Sequence, residues 1–272
     1  MRATGCKQEQ AMEAQVESAK GHGAGRSEPR ANETTPIASV GNNISAANAG
    51  WSFGGQTPTH FADHVRRSIP MYAEGHKLAC ELSDYFVQDG TACYELGSSV
   101  GELIAKVATR HAAHQNVRWV GIDSVEAMTL KAREEHGHLG IEFVTSDILR
   151  FAFERANLFL SYYTIQFTPL AVRAQLIRKL YDSLLPGGGL IMFEKVRGSD
   201  PVAQDLLSSL YVDFKIEQGF HPAEIIAKSK SLKGILNPQT SEENVQALRE
   251  AGFSSVFTVM RYLSFVGYLA IK

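Results

Sequence analysis

Cysteine is scarce in this chain: Cys6, Cys80 and Cys93 are the only three in 272 residues, and they lie far apart. Their spacing matches no metal-ligand pattern, and three thiols cannot all pair within one chain, so neither a disulfide framework nor a thiolate metal site is expected. Long apolar runs are absent; none approaches the ~18–20 residues of a membrane span. No apolar segment follows the first basic residues, so no secretory signal is expected. Glu9, Glu13, Glu17, Glu28 and Glu33 argue against a transit peptide. Charge of one sign is also lacking. A formal net charge of −2 gives no basic footprint for nucleic acid and disfavours tRNA as a partner. Reduced thiols and the absence of these signals point to a cytoplasmic protein.

Residues 1–50 contain no Phe, Tyr or Trp and are rich in Ala, Gly, Ser, Asn and Glu. Such a stretch buries too little apolar area to offset its ordering entropy, so a disordered tail is expected there. The composition changes at Trp51-Ser52-Phe53, and one folded domain is expected over 51–272. Hydrophobic residues make up 44% and charged residues 21%, an ordinary balance for a globular protein.

Within that domain the pattern alternates. Gly75 to Phe86 carries Leu78, Leu82, Tyr85 and Phe86 at helical spacing. Strands are expected at Thr91–Leu96, Val117–Ile122, Ile141–Val144, Ala156–Tyr162 and Leu190–Phe193, the last after a chain break at Pro186-Gly187-Gly188-Gly189. Helices are expected near Gly101–His111, Ser124–Glu135 and Ala171–Leu184. A helical insertion spans about 201–233, and Ser241 opens a further helix with Glu242 and Glu243 in its first turn. Strands alternating with helices imply parallel pairing, because a parallel crossover needs a dozen or more residues. Ser255–Arg261 and Ser264–Ile271 are too close for a crossover and must pair as a hairpin. The expected fold is therefore α/β: a Rossmann-like, seven-stranded, mostly parallel sheet ending in an antiparallel hairpin, the architecture of class I methyltransferases.

The informative stretch is Tyr94-Glu95-Leu96-Gly97-Ser98-Ser99-Val100-Gly101, at the end of the first strand. Gly97 permits a sharp turn and close ligand approach, and Gly101 opens a helix whose free N–H groups face that ligand. Glu95 suits an ammonium group. Asp123 closes the second strand, where a carboxylate accepts from ribose hydroxyls. Asp147 closes the third, suited to an adenine amino group with Ile148 against the ring. All these residues fall at the carboxyl ends of strands, where open α/β sheets bind ligands. Together they point to S-adenosyl-L-methionine. The dinucleotide alternative needs G-x-G-x-x-G, and its middle glycine is replaced here by Ser99.

With those residues in view, the chain from Phe61 onward resembles the carboxy-S-adenosylmethionine synthase family, formerly described as wobble-uridine tRNA methyltransferases. The resemblance lies in Arg67-Ser68-Ile69-Pro70-Met71-Tyr72, Glu95-Leu96-Gly97-Ser98-Ser99, Ile165-Gln166-Phe167, Glu194-Lys195, Asp213-Phe214-Lys215 and Ala251-Gly252-Phe253. It implies cofactor contacts at Tyr72, Gly97, Ser98, Ser99, Asp123, Ser124, Asp147 and Ile148, and it implies a homodimer. Two departures stand out. Tyr162 occupies the place of a family asparagine. Ser229, within Lys228-Ser229-Lys230-Ser231, aligns with the arginine that grips the carboxylate of the carboxylated cofactor. A serine cannot reproduce arginine's bidentate fork, although Lys228 or Lys230 can supply a point charge.

The expected activity is methyl transfer from S-adenosyl-L-methionine to a small-molecule acceptor. The alternatives are carboxy-S-adenosylmethionine synthesis and a catalytically inactive cofactor-binding module. A sulfonium methyl is already activated, so alignment supplies much of the rate, and a base is needed only if the acceptor must lose a proton. Candidate bases or acceptor-orienting groups are His64, His76, Tyr163, Tyr211 and His221. His60 and His64 lie in a segment able to act as a lid, with Trp51 and Phe53 as further closing groups.

Overall fold

The computed structural model describes residues 37–55 and 57–272. The first 36 residues of the expected tail lie outside the described residues, but the rest of that tail does not behave as one. Strands β1 (Ala38–Ser39) and β2 (Ser45–Ala46) pair as a small antiparallel hairpin. Val40, Ile44 and Ala46 bury their side chains with Trp51 against Leu232 and Ile235. Aliphatic residues did the work that aromatic composition was expected to do, so the folded part begins upstream of Trp51.

The segment expected as a lid is helix α1 (Thr57–Ser68), followed by α2 (Tyr72–Ser83). Then come β3 (Ala92–Leu96), α3 (Glu102–Arg110), β4 (Arg118–Asp123), α4 (Glu126–His136) and β5 (Glu142–Thr145). Next are β6 (Ala156–Tyr162), α5 (Leu170–Ser183) and β7 (Leu184–Lys195), then α6 (Pro201–Glu217), α7 (Pro222–Ser231) and α8 (Ser241–Glu250). β8 (Ser255–Tyr262) and β9 (Phe265–Ile271) complete the chain. The main sheet has seven strands in the order β5-β4-β3-β6-β7-β9-β8. β3 to β7 pair in parallel, while β9 runs antiparallel between β7 and β8.

Period-two alternation gives the sheet two buried faces. Tyr94, Leu96, Phe159, Leu190 and Met192 point to one face, and Cys93, Leu158, Leu160, Ile191 and Phe193 to the other. The expected break at Pro186 is instead a bulge inside β7: Leu184 pairs with Ala156 and Gly189 with Leu158, leaving the residues between them out of register. α8 is capped by Thr240 rather than Ser241. Its hydroxyl accepts from Glu243 N–H (3.1 Å), and the Glu243 carboxylate accepts from Thr240 N–H (2.7 Å).

The chain leaves β3 toward β4 on one side and returns through β6 on the other. That switch point opens a crevice at the carboxyl ends of the strands, the place where such sheets hold ligands. Among the described residues, no helix is long and apolar enough to cross a membrane, and no three metal-ligating side chains converge.

Candidate functional site

β3 ends at Leu96, and Gly97 turns the chain with φ of +63°. A Cβ there would fall 2.5 Å from the Thr164 side chain, whose hydroxyl donates to Leu96 C=O at 2.8 Å. Only glycine meets both demands. Ser99 follows with φ of +50°, a strained value for serine. Its N–H donates to Asp123 Oδ2 (2.9 Å), while Asp123 Oδ1 accepts from Val125 N–H (2.9 Å). The carboxylate at the tip of β4 thus holds the glycine turn and keeps lone pairs for a ligand. Glu95 is buried beneath the turn and accepts from Ile104 N–H at 3.1 Å. Burial raises the pKa of both acids, that of Glu95 well above the carboxylate range.

These groups face a cavity of about 970 Å³, within the usual size of ligand sites. Tyr72, Glu95, Gly97, Ser98, Ser99, Asp123, Ser124, Asp147, Ile148 and Tyr162 all line it. Gly101 does not. Its φ of +82° and the Phe143 ring 2.7 Å from a would-be Cβ give it a packing role behind the turn. Asp147 is exposed and accepts from Leu149 N–H (2.9 Å), whereas Ile148 is buried.

Of the candidate bases and orienting groups, His64, His76, Tyr163 and Tyr211 line the cavity and His221 does not. His221 precedes α7, its N–H donating to the Glu224 carboxylate at 3.0 Å, and it is exposed. Its backbone marks a helix start, and its imidazole stays outside the cavity. Burial pushes His64 and His76 down to about 3, with nearby Lys228 adding to the effect at His64 and Lys106 at His76. Both rings are therefore neutral and weakly basic, poor proton acceptors near pH 7. Tyr211 spends its hydroxyl on Ser68 C=O (2.9 Å) and Tyr162 spends its own on Tyr72 C=O (2.7 Å). Tyr163 sits just past β6 with φ of +59° and a buried hydroxyl that has no partner among the described residues.

The sequence offered Lys228 as a point charge, but it did not bring Lys195, Lys215 and Lys228 together. Lys195 follows Glu194 on β7, Lys215 lies on α6 and Lys228 on α7, and all three reach the cavity. Lys195 Nζ lies 4.2 Å and Lys215 Nζ 4.7 Å from the centre of the Tyr211 ring, and Lys228 stacks over Trp51. Burial lowers Lys195 to about 8; burial and then Lys195 lower Lys215 to about 7. Lys228 is pushed well below the lysine range by burial, then by Lys215. The lysines in ion pairs among the described residues are Lys77 and Lys131, on the outer helices, so no protein carboxylate compensates these three. Lysine is almost always solvated, and nothing in the spacing of these three marks them as buried. Of Lys228, Ser229 and Lys230, the first two line the cavity while Lys230 is exposed outside it.

The cavity suits an adenosine-bearing sulfonium. A Cβ-free turn and three acids stand in strand order at one end, with aromatic rings beside them. Trp51 Nε1, His76 Nε2, Ser98 Oγ and Tyr163 Oη, all on lining residues, are buried without partners among the described residues. Buried polar atoms are rarely left unpaired in the protein alone, so a polar ligand is their natural partner.

Known proteins agree. Residues 94–188 match the model of a methyltransferase domain. The carboxy-S-adenosyl-L-methionine synthase of Staphylococcus epidermidis is 33% identical over 223 residues, 82% of this chain and 97% of that protein. That of Wolinella succinogenes is 40% identical over 219 residues, 78% of this chain and 89% of that protein. Among solved structures, an O-methyltransferase family protein from Burkholderia thailandensis superimposes with a TM-score of 0.57 at 18% identity, over 80% of this chain and 60% of that one. Its likeness is one of fold, while the two synthases share sequence over most of the chain. With a class I methyltransferase fold and an S-adenosylmethionine pocket, the chain is an S-adenosylmethionine-dependent enzyme that belongs to the carboxy-S-adenosyl-L-methionine synthase family.

Proposed function

We propose that this enzyme makes carboxy-S-adenosyl-L-methionine from S-adenosyl-L-methionine and an anionic small-molecule carboxyl donor. The observation that carries the reading is the uncompensated cluster of Lys195, Lys215 and Lys228 in the cofactor cavity. Buried ammonium groups without acids are costly, and a carboxylate-bearing ligand between them offsets that cost. Bound S-adenosyl-L-methionine supplies a methyl group activated by its sulfonium. In the overall exchange the methyl carbon gives up a proton and gains the carboxyl group, while the donor loses CO2 and takes up a proton. The chain's own part is positional. The lysines hold carboxylates, Tyr211 and Trp51 shield them from water, and Asp123 and Glu95 orient the cofactor. Lys228 stands in for the arginine that Ser229 replaces, as a point charge rather than a fork.

Methyl transfer to a small anionic acceptor is the second reading, favoured by that same missing arginine. Mass spectrometry of ligand extracted from purified protein separates the two. A cofactor heavier than S-adenosyl-L-methionine by one CO2 is expected. A protein that retains only S-adenosyl-L-methionine and accumulates its demethylated product with a methylated acceptor sinks the first reading. We further propose a cytoplasmic homodimer acting on small molecules rather than tRNA. The free thiols of Cys80 and Cys93 and the formal charge of −2 support the first and last parts. An exposed apolar row on α6, Val202, Leu206, Leu210 and Ile216, supports the second.

A further inference from the structure

Tyr162, at the end of β6, packs against α2. Tyr162 sends its hydroxyl to Tyr72 C=O, and a Cβ at residue 75 would collide with that oxygen, so glycine admits the ring there. The tyrosine hydroxyl is therefore already engaged and is not free for a ligand. The next residue, His76, packs between Tyr72 and Tyr162, with ring centres 4.5 and 4.6 Å away.

His76 Nδ1 lies 3.0 Å from Lys106 Nζ. An ammonium group only donates, so Nδ1 accepts and the neutral ring carries its proton on Nε2. Turning the ring over would place a carbon against the ammonium. Nε2 is buried, has no acceptor among the described residues, and belongs to a residue lining the cavity. Burial and the charges of Lys106 and Arg66 keep the imidazole neutral. We propose that His76 is a ligand-positioning residue whose Nε2–H, fixed by Lys106, donates to a carboxylate bound in the cavity. The assignment rests on reading the cavity as an S-adenosylmethionine site. A donor N–H backed by a cation selects an anionic oxygen, and two sources supply one: the amino-acid carboxylate of the cofactor, or the carboxylate of the second substrate.

The test joins spectroscopy to binding. In ¹⁵N NMR of the wild-type protein at pH 7, Nε2 of His76 is protonated, Nδ1 is not, and the Nε2–H signal shifts when ligand is added. In calorimetry, His76→Phe keeps the aromatic stack and lowers affinity for S-adenosyl-L-methionine about ten- to hundredfold, as expected for a hydrogen bond to a charged group. His76→Gln, which retains an N–H, recovers most of it. If decarboxylated S-adenosylmethionine binds wild type and His76→Phe equally, the partner is the amino-acid carboxylate. If the loss appears only for malonate added to cofactor-loaded protein, the partner is the second substrate. An Nδ1-protonated ring, or a His76→Phe protein that binds cofactor and malonate as wild type does, overturns the proposal. Wild-type protein that ignores S-adenosyl-L-methionine strikes down the reading of the cavity instead, and the malonate arm then decides for His76.

Discussion

Asp123 shows how a single side chain serves the fold and the site together. Its oxygens hold the Ser99 and Val125 N–H groups, which fixes the glycine turn, and its remaining lone pairs face the cavity. Asp123→Ala is expected to weaken S-adenosyl-L-methionine binding about ten- to hundredfold, the worth of hydrogen bonds to a charged group, as measured by calorimetry. Unchanged affinity in folded protein would remove the ribose from this acid. The lysines make the opposite bargain, lowering stability to create a site. Lys215 has a folded pKa of about 7 against an ordinary 10.5, so the unfolded chain binds more protons between those values. Its cost to stability is fully present below pH 7 and is relieved as pH rises toward 10.5. Lys215→Met should therefore stabilise the ligand-free protein near pH 7 by about 1–2 kcal/mol, seen as a higher Tm, while weakening malonate binding. Malonate affinity of the wild type should fall between pH 6.5 and pH 9 as the lysines lose charge, and a flat profile would remove them from the anion site. The turn and the acids were legible in the sequence because their chemistry needs fixed residues at strand ends. The lysines were not, because burial is a property of what surrounds them.

Among the elements, the β1–β2 hairpin and the α2–β6 contact carry the clearest tests. The hairpin ties down α7, with Ala49 N–H donating to Lys230 C=O (3.0 Å) and Trp51 N–H to Ser231 C=O (3.2 Å). It thereby fixes the helix that carries Lys228. Ile44→Ala removes a buried side chain from that contact and should cost about 2–4 kcal/mol locally. Hydrogen exchange should show the loss as faster exchange at Ala49, Trp51 and α7, with the central sheet unaffected. Protection unchanged at those amides would mean that the hairpin does not brace α7. At the second contact, Gly75→Ala drives a methyl group into the Tyr162 hydroxyl and should destabilise by about 1–3 kcal/mol. Gly75→Ala combined with Tyr162→Asn should recover much of that, giving a coupling above about 0.5 kcal/mol in a double-mutant cycle. Additive losses would show that the two residues do not depend on each other.

For the whole molecule, the sheet delivers cofactor acids from β3, β4 and β5 to one edge, while α1, α6 and α7 close the opposite side with cations and aromatics. The cavity is therefore polar-acidic at one end and cationic at the other, matching a ligand pair of sulfonium and carboxylate. The apolar row on α6 belongs to this scale as well. Leu206→Lys together with Leu210→Lys should convert a dimer to a monomer in light scattering without lowering Tm, since both residues are exposed. A wild-type monomer would dismiss the homodimer.

The mostly parallel sheet with its terminal hairpin, the glycine turn and its acids at the carboxyl ends of the strands followed from the sequence alone, because local periodicity and residue chemistry specify them. The start of the folded part, the bulge in β7, the fit of Tyr162 against Gly75 and the convergence of Lys195, Lys215 and Lys228 were decided only in three dimensions. Each depends on which distant segments meet: the Val40 cluster with Leu232 and Ile235, β6 with β7, Tyr162 with Gly75, three lysines from three elements on one void. Sequence spacing records what a residue can do, and the environment that tertiary contact creates decides whether a lysine is solvated or buried, and whether a histidine accepts a proton or donates one.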